Sequence, residues 1–403
     1  MWFWASLLAL LALLGVAIWA SLWDADLSDH AVKIELVEVA KSNGAVCLDG
    51  SPAAYYFLRG SGDGVNKWYI HHEGGGWCES MDDCLDRSHT ALGSSSSYPE
   101  KIKLYGGYFL RDPKENPLMY NWNVAFMKYC DGGSFSGNNE TVTTYKNHSL
   151  FFRGKRIREA IAKDLMENRG LKNASDLMVS GCSAGGLATY LHADQWCNTL
   201  HSANPSAKCA ALPDSGFFID YQDPDVPCEP TSPGMLGTTI NGNYHCGLKW
   251  TYSIQNATAG IDPKCVAAHP GKEWQCMFAE HAAEHIQTPV FALQSEYDSW
   301  QQGHVQGPGG SKKTQEMGKN ITERLLKTLL GKNPKSGAFL DSCLHHCAAW
   351  NIIRIDGDLV STAIQKWYNG LGQEDNKRLW DQNQPFPCKD CCKPDWKPLN
   401  VVV

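Results

Sequence analysis

The feature that most constrains the fold is a serine set among glycines at residues 181–186, in the order Gly, Cys, Ser, Ala, Gly, Gly. It follows a short, mostly apolar run at residues 176–180, which is a candidate strand. A serine that ends a strand and starts a helix lies on a sharply bent backbone, where flanking side chains would collide with neighbouring backbone. The pattern predicts a strand–turn–helix unit with Ser183 at its apex and makes hydrolysis the first functional hypothesis.

Residues 1–23 are predicted to direct the chain into the secretory pathway. Residues 2–23 contain no charged side chain, and residues 7–14 are all Leu or Ala. No Lys or Arg precedes this run, and it is long enough to span a bilayer, so a cleaved signal peptide and a retained signal anchor both stay open, the first being favoured. Residues 24–403 are expected to form a single domain in the secretory lumen, with membrane contact only if the anchor is retained.

Cysteines and glycosylation sequons agree with that compartment. The chain has 16 cysteines, an even number that is too large for a cytosolic enzyme, and their spacing is not that of a zinc ribbon. Five Asn-x-Ser/Thr sequons are predicted glycosylation sites: Asn139, Asn147, Asn173, Asn256 and Asn320. We therefore expect a secreted, disulfide-bonded glycoprotein of the extracellular space or cell wall. The formal net charge of −7 argues against a nucleic-acid partner.

Candidate strands and helices alternate along the chain. Strands are predicted at residues 32–39, 67–72, 123–130, 176–180, 208–216 and 289–298, and helices at 153–167, 186–196, 313–330 and 358–369. This alternation predicts an α/β fold, with a mostly parallel central sheet and helices on both faces. The first strand is expected at an edge of the sheet.

Two regions depart from the alternation. Residues 213–280 are rich in Pro, Gly and Asn and are predicted to be a disulfide-tied insertion over the active-site edge. Its cysteines are Cys228, Cys246, Cys265 and Cys276, with Cys209 just before. The tail from Asn383 onward is expected to be a loop strapped to the body.

A serine nucleophile needs a histidine to take its proton and a carboxylate to orient that histidine. Asp298 is the candidate acid, because it ends the strongest late strand. The candidate bases are His304, His345 and His346. The third is favoured, because Cys343 and Cys347 would pin its loop through disulfides to each other or elsewhere.

Catalysis also needs backbone N–H groups that bind the oxyanion of the tetrahedral intermediate. Ala184, directly after the serine, is one candidate, and the glycine turn at residues 74–76 is another. Each piece alone also has a structural explanation: a tight turn for the glycines, a helix cap for Asp298, a packed histidine for His345 or His346. Their order along the chain favours the catalytic interpretation, because the structural explanations do not predict it.

Five segments together resemble the pectin acetylesterase family, whose animal relatives are the Notum carboxylesterases. The segments are residues 73–78, 129–137, 181–186, 297–301 and 343–347. The resemblance implies an α/β-hydrolase-like fold and a secreted carboxylic ester hydrolase. It implies these site residues: the triad Ser183, Asp298 and His346, the oxyanion donors Gly75, Gly76 and Ala184, and a Cys78–Cys84 disulfide.

The substrate divides this family between acetylated galacturonan and an acylated signalling protein. Gly76 and residues 131–134 are similar to the pectin acetylesterases, since Notum has an aromatic residue where Gly76 stands. We therefore expect a monomeric esterase that deacetylates a polysaccharide such as pectin, although the negative charge leaves another acetylated glycan open. Two alternatives remain, a Notum-like enzyme that removes an acyl chain from a secreted protein and an inactive glycan-binding homologue.

Three residues beside the predicted site are candidate substrate contacts: Trp77, Asp131 and Trp300. The tryptophans would stack on a sugar or line an acyl pocket, although core packing explains them equally well. No metal and no organic cofactor is expected. Cys182, next to the nucleophile, is either a packed free thiol or half of a disulfide.

Overall fold

A ten-stranded sheet organises the part of the chain that the computed structural model describes, residues 30–222, 244–305, 310–347, 349–388 and 391–392. Its strands are β1 (His30–Glu35), β2 (Ala54–Leu58), β3 (Lys67–His72), β4 (Lys101–Lys103), β5 (Asn123–Met127), β8 (Asp176–Cys182), β9 (Lys208–Asp214), β10 (Phe291–Ser295), β11 (Gly337–Asp341) and β14 (Leu379–Asp381). Two hairpins lie outside it, β6 with β7 (Thr143–Tyr145, His148–Leu150) and β12 with β13 (Arg354–Ile355, Asp358–Leu359).

The helices are α1 (Val37–Asn43), α2 (Met81–Ser88), α3 (Gly154–Asp164), α4 (Ala184–Ala203), α5 (Tyr244–Ile254), α6 (Pro263–Ala268), α7 (Ala279–Ala282), α8 (Ser299–His304), α9 (Ser311–Leu325) and α10 (Val360–Asn369). Two of them continue as a π-helical turn, α3 at Leu165–Arg169 and α9 at Leu326–Leu330. Short 3-10 turns occupy Gly62–Gly64, Gly107–Phe109, Leu171–Asn173, Ala257–Gly260 and Glu273–Met277.

The sheet has the order β14-β11-β10-β9-β8-β3-β5-β2-β1-β4. All pairings from β14 across to β5 are parallel, whereas β2, β1 and β4 add an antiparallel end. The mostly parallel sheet expected from the sequence is confirmed. Because parallel strands end at the same edge, the loops that follow β3, β8, β9, β10 and β11 come together there.

Helices cover both faces of the sheet, also as expected. In β8, Leu177 and Val179 contribute to one buried cluster and Met178, between them, to the other. Helices α3, α4 and α9 pack their apolar side chains into the first cluster, and α10 packs into the second through side chains such as Trp367. Every central strand is thus buried on both sides, as parallel strands generally are.

The amino-terminal end corrects one prediction. The strand predicted at residues 32–39 ends at Glu35, and α1 begins at Val37. Gly44, with a φ of +71°, directly follows α1, as a glycine often does at the end of a helix. The alternation of apolar residues predicted a longer strand because it continues into this helix. Nor does β1 form the edge, because the three-residue strand β4, with two exposed lysines, pairs outside it.

The insertion lies over the carboxyl edge of the sheet. Thr251 in α5 donates a hydrogen bond to the carbonyl of Cys78 (2.9 Å), and Gln255 donates one to the carbonyl of Gly132 (3.1 Å). The Cys265–Cys276 disulfide closes its later part. Cys209 pairs instead with Cys197 in α4, so it belongs to the body, and Cys228 lies outside the described residues.

Two disulfides close short loops: Cys78–Cys84, six residues apart, which confirms the pairing that the resemblance implies, and Cys388–Cys391, three residues apart. Others join segments far apart in sequence. Cys47 is bonded to Cys130, and the tail is strapped to the body by Cys343–Cys392, as expected. In the described part of the chain every cysteine is in a disulfide. Of the helices in these ranges, none combines the length and apolarity needed to cross a bilayer, and the leader at residues 1–23 lies outside them.

Candidate active site

Ser183 lies at the turn between β8 and α4 with a strained backbone, φ +59° and ψ −125°. A Cβ added to Gly185 would come within 2.1 Å of the His72 carbonyl oxygen, and one on Gly181 within 2.1 Å of the Gly185 carbonyl oxygen. The two glycines therefore interlock with the end of β3, as the sequence predicts. The Ser183 amide donates to the carbonyl of Asp214 in the next strand (3.0 Å).

The glycine turn after β3 lies directly against the serine. A Cβ on Gly74 would be 2.4 Å from the carbonyl oxygen of Cys182 and 3.1 Å from the Ser183 Cβ. Gly75 and Gly76 have φ values of +140° and +65°, and neither amide donates a hydrogen bond to another described residue. Unengaged N–H groups beside a nucleophile are what an oxyanion site requires.

Side chains behind the glycine turn fix its position. The Glu73 carboxylate accepts from the Tyr129 amide (2.8 Å) and forms an ion pair with Lys128. The Tyr129 hydroxyl donates to the Gly76 carbonyl (2.7 Å). The third predicted donor, Ala184, is the first residue of α4, where the positive end of the helix dipole favours negative charge.

His346 and Asp298 form the predicted pair. The His346 Nδ1 lies 2.8 Å from the Asp298 Oδ2, and Asp298 is completely buried. Donation from Nδ1 to the carboxylate leaves the lone pair on Nε2, and this buried nitrogen has no hydrogen-bond partner among the described residues. The pair therefore presents an unengaged basic nitrogen.

Asp298 contacts His346 and caps a helix at the same time. Its Oδ1 accepts from the Gln301 amide (2.9 Å), so it caps α8, and its Oδ2 also accepts from the Gln294 side chain (3.3 Å). The helix-cap interpretation and the catalytic one are thus compatible, because the cap holds the carboxylate that orients His346.

The Cys182–Cys347 disulfide ties the loop of the predicted base to the turn of the predicted nucleophile. It joins the residue before Ser183 to the residue after His346, with 6.0 Å between the two Cα atoms. The Cys347 amide also donates to the Ser215 hydroxyl (2.7 Å) in the loop after β9. The state of Cys182, open from the sequence, is therefore a disulfide, and it links the neighbours of two of the three predicted triad residues.

The other two candidate histidines have other partners. His345 Nε2 lies 3.0 Å from both carboxylate oxygens of Asp341. His304 stacks on Trp300 with 4.5 Å between ring centroids, and its Nδ1 lies 2.9 Å from the Trp300 carbonyl oxygen. Of the three candidates, His346 is the one that contacts Asp298.

The predicted aromatic contacts lie in one cluster beside His346. The Trp77 ring is 5.7 Å from the Trp300 ring, which is 6.3 Å from His346. Phe218 and Tyr244 complete the cluster and contact both tryptophans. Trp77 is almost fully buried and donates to the Ser134 hydroxyl (2.7 Å), so packing and substrate contact remain compatible for it.

Asp131 has a different role from the predicted substrate contact. Its side chain is completely buried and accepts from the amides of Phe135 (3.0 Å) and Gly133 (3.2 Å), and burial raises its pKa to about 6. A carboxylate enclosed by its own turn holds that turn in shape and does not present itself to a ligand.

Two aromatic members of the cluster escaped prediction. Phe218 follows the end of β9 by four residues, so the rule that strand ends carry site residues would have found it. Tyr244 lies in the insertion, where no sequence signal separates site residues from packing residues. Its hydroxyl is buried without a hydrogen-bond partner among the described residues.

The predicted glycosylation sites differ in exposure. Asn147, Asn173 and Asn256 are exposed, whereas Asn139 and Asn320 are half-buried. The Asn139 side-chain nitrogen donates to the Ile254 carbonyl (3.0 Å). Three of the five sites are thus open to a glycan as the chain stands.

A parallel sheet with a serine at one strand-to-helix turn and an Asp–His pair after later strands is the arrangement of the α/β hydrolases. Within that class, the chain belongs to the pectinacetylesterase family, whose model matches residues 25–393. The resemblance stated from the sequence is confirmed, and membership makes the chain a carboxylic ester hydrolase.

Relatives come from both branches of the family. Pectin acetylesterase 5 of Arabidopsis thaliana is 35% identical over 390 residues, covering 90% of this chain and 84% of that protein. Palmitoleoyl-protein carboxylesterase notum1a of Danio rerio is 29% identical, covering 90% of this chain and 69% of that protein. The solved structure of the Wnt deacylase Notum from Drosophila matches with a TM-score of 0.73 at 24% identity, over 90% of this chain and 99% of that chain, and shows the shared fold.

Proposed function

We propose that this chain is a secreted serine esterase that removes acetyl groups from an extracellular polysaccharide such as pectin. The observation that carries the proposal is the His346–Asp298 pair, held next to Ser183 by the Cys182–Cys347 disulfide. Nucleophile, base and acid are then all supplied by side chains, so the proposed chemistry needs no metal or organic cofactor.

In the proposed reaction, the Ser183 hydroxyl attacks the acetyl carbonyl while His346 Nε2 takes its proton. The tetrahedral intermediate collapses, the sugar oxygen leaves with the proton returned by His346, and the acetyl group stays on Ser183. A water molecule then attacks the acetyl-enzyme and gives a proton to His346. Collapse of this second intermediate returns that proton to the Ser183 oxygen and releases acetic acid, which ionises to acetate. Asp298 stabilises the imidazolium that forms in each step.

The oxyanion of each intermediate would be bound by the amides of Gly75, Gly76 and Ala184. Their positions beside Ser183 support this assignment, as does the absence of other partners for the two glycine amides among the described residues. One such donor typically contributes about 3 kcal/mol to the stabilisation of the transition state.

Two findings support a short acyl group on a polysaccharide. The plant relatives that share 33–35% of the sequence are named pectin acetylesterases. Trp77, Phe218, Tyr244 and Trp300 also form an aromatic cluster beside His346, and aromatic faces of this kind suit stacking on a sugar ring. Trp77 and Trp300 are the proposed substrate contacts.

Secretion is part of the proposal. Disulfides of this density persist in oxidising compartments, and three exposed sequons are available to the glycosylation machinery. We propose that residues 24–403 act as one domain and as a monomer, in the cell wall or extracellular space.

The first test is Ser183→Ala, assayed on a short-chain aryl acetate. We expect kcat to fall by about 10⁴-fold or more, and the same for His346→Ala, because the residues of a triad act as a unit. Ser202→Ala, at an exposed serine on α4, is the matched control and should leave the rate unchanged. Full activity in Ser183→Ala would refute the mechanism.

Substrate choice is tested by comparing acetate and octanoate esters, followed by acetate release from pectin, xylan and other acetylated glycans. The proposal expects a preference for acetate and release from at least one polymer. A preference for octanoate would favour a Notum-like activity on an acylated protein, and binding of an acetylated glycan without turnover would favour an inactive homologue.

A further inference from the structure

The loop that carries the proposed base contains two adjacent histidines, each paired with its own aspartate. His346 pairs with Asp298, as described above. His345 pairs with Asp341, the last residue of β11, and both members of this second pair are buried. The proposed reaction uses the first pair and leaves the second without a role.

The surroundings of His345 determine its protonation. Its Nε2 lies 3.0 Å from each oxygen of the Asp341 carboxylate, and its Nδ1 lies 3.2 Å from the Cys347 carbonyl oxygen. Carbonyl and carboxylate oxygens only accept hydrogen bonds. A neutral imidazole has one N–H, so both contacts are satisfied only if both nitrogens carry a proton.

We propose that His345 is a positioning residue, an imidazolium at neutral pH that anchors the base loop and places a positive charge beside His346. This inference rests on the proposed function, because it takes His346 as the base. It adds His345 to the residues that support catalysis. His345 acts through its neighbour His346 and does not touch the substrate.

The backbone of His345 links the two halves of the catalytic pair. Its carbonyl accepts from the Ser299 amide (3.0 Å), in the first residue of the helix that Asp298 caps. Its ring holds the carbonyl of Cys347, which is bonded to Cys182 beside the nucleophile. A shift of His345 would therefore move His346 relative to both Asp298 and Ser183.

The charges around His345 explain why a cation is needed there. Three buried carboxylates face this region from three strand ends: Asp214 at the end of β9, Asp298 after β10 and Asp341 at the end of β11. The Tyr108 hydroxyl donates to Asp214, and His346 is the adjacent residue in the chain. Burial opposes the charge on His345, but Asp341, Asp214 and Asp298 together outweigh it and raise the pKa of His345 to about 9. A neutral side chain at this position would leave the buried negative charges uncompensated.

The test compares His345→Gln with the wild-type enzyme in steady-state kinetics across pH. We expect kcat to fall by about tenfold or more with KM little changed, because a small displacement of the base slows the chemical step. Loss of the positive charge favours protonation of His346, so the acidic limb of the kcat profile should move upward by about half a pH unit or more.

Charge and packing are separated by a second variant, Asp341→Asn/His345→Gln, which removes both charges. Its acidic limb should return towards the wild-type position while kcat stays low, because the net charge is restored and the anchor is not. His201→Gln, at the far end of α4, is the matched control and should change neither. Thermal unfolding of each variant confirms that it is folded.

Each outcome decides one question. A His345→Gln enzyme with wild-type kcat and pH profile overturns the inference, and so does a lower kcat with an unmoved acidic limb, which is ordinary packing loss. If Ser183→Ala and His346→Ala are also active, the proposed function has failed as well. If both are inactive, the proposed function stands and only the role of His345 is lost.

Discussion

The nucleophile turn and the base loop are held in place by different means. Ser183 is positioned by its immediate neighbours, where Gly181 and Gly185 interlock with the end of β3. The loop at residues 342–347 has no regular structure and is held by links to distant segments: the disulfides Cys343–Cys392 and Cys182–Cys347, and the His345–Asp341 pair. The turn at Ser183 should therefore be disrupted by any added side-chain atom. The loop at residues 342–347 should be displaced when one of its links is removed.

The largest effect on activity is expected from Gly185→Ala, which attacks the local packing. Its Cβ would lie 2.1 Å from the His72 carbonyl oxygen, so strand and helix must separate, at a cost of about 3 kcal/mol or more in the free energy of unfolding. Urea denaturation measures this loss, and activity should disappear with it. Gly310→Ala is the control, because a Cβ there meets no atom within 4 Å, and equal stability of the two variants would contradict the prediction.

The next effect is expected from Cys182→Ala/Cys347→Ala, which attacks the cross-links. The bond closes 165 residues, and its removal should cost about 5 kcal/mol in stability and lower kcat by about tenfold or more in the molecules that remain folded. The matched control is Cys197→Ala/Cys209→Ala. This bond lies away from the site and closes a loop of only 12 residues.

That control should cost about 3 kcal/mol and leave kcat unchanged. A similar fall in kcat for both pairs would show that the first disulfide acts through global stability alone. Both pairs are assayed well below their melting temperatures, with the folded fraction measured by circular dichroism.

The smallest effect concerns the pH dependence of the base loop. Glu296 is buried after β10 and accepts from the Ser342 hydroxyl (2.6 Å) of that loop, and burial raises its pKa from 4.5 to about 7. The folded state holds this proton to higher pH than the unfolded chain, so Glu296 increasingly favours unfolding as the pH rises from 4.5 to about 7. The melting temperature of Glu296→Gln, measured relative to wild type, should therefore be higher at pH 8 than at pH 5.

His345 acts in the same direction at higher pH. Its raised pKa means that its stabilising contribution is complete below pH 6.5 and is lost as the pH rises through about 9.

The control for Glu296→Gln is Glu167→Gln, at an exposed position, which should show the same difference in melting temperature from wild type at pH 5 and at pH 8. If Glu296→Gln behaves like this control, Glu296 does not contribute to the pH dependence of stability.

The same contrast explains what the sequence revealed. The turn at Ser183 was predicted from a few consecutive residues, because the glycines that its close packing requires are its neighbours in the sequence. Asp298 was found because it ends an apolar strand, and its second role as a helix cap has the same signature in sequence. The choice of His346 over His345 depended on the family resemblance, since spacing alone does not tell which of two adjacent histidines meets which aspartate.

Other features were out of reach for physical reasons. The order of strands in the sheet depends on long-range pairing, and β11 and β14 are short runs whose burial comes from neighbours far along the chain. The pairing of Cys182 with Cys347 needed the fold, because many connectivities satisfy the same cysteines. Asp131 was predicted to be a substrate contact because it lies beside the predicted site, but its own turn encloses it.

The length of chain between Cys182 and Cys347 has a consequence for biosynthesis. The bond joins residues 165 apart, so it closes only after most of the protein has been made and has met an oxidant. Until then Ser183 has no covalent tie to the loop that bears His346. If the proposed roles hold, completion of the active site is therefore coupled to export, and in a reducing compartment Ser183 and His346 would be positioned by noncovalent contacts alone.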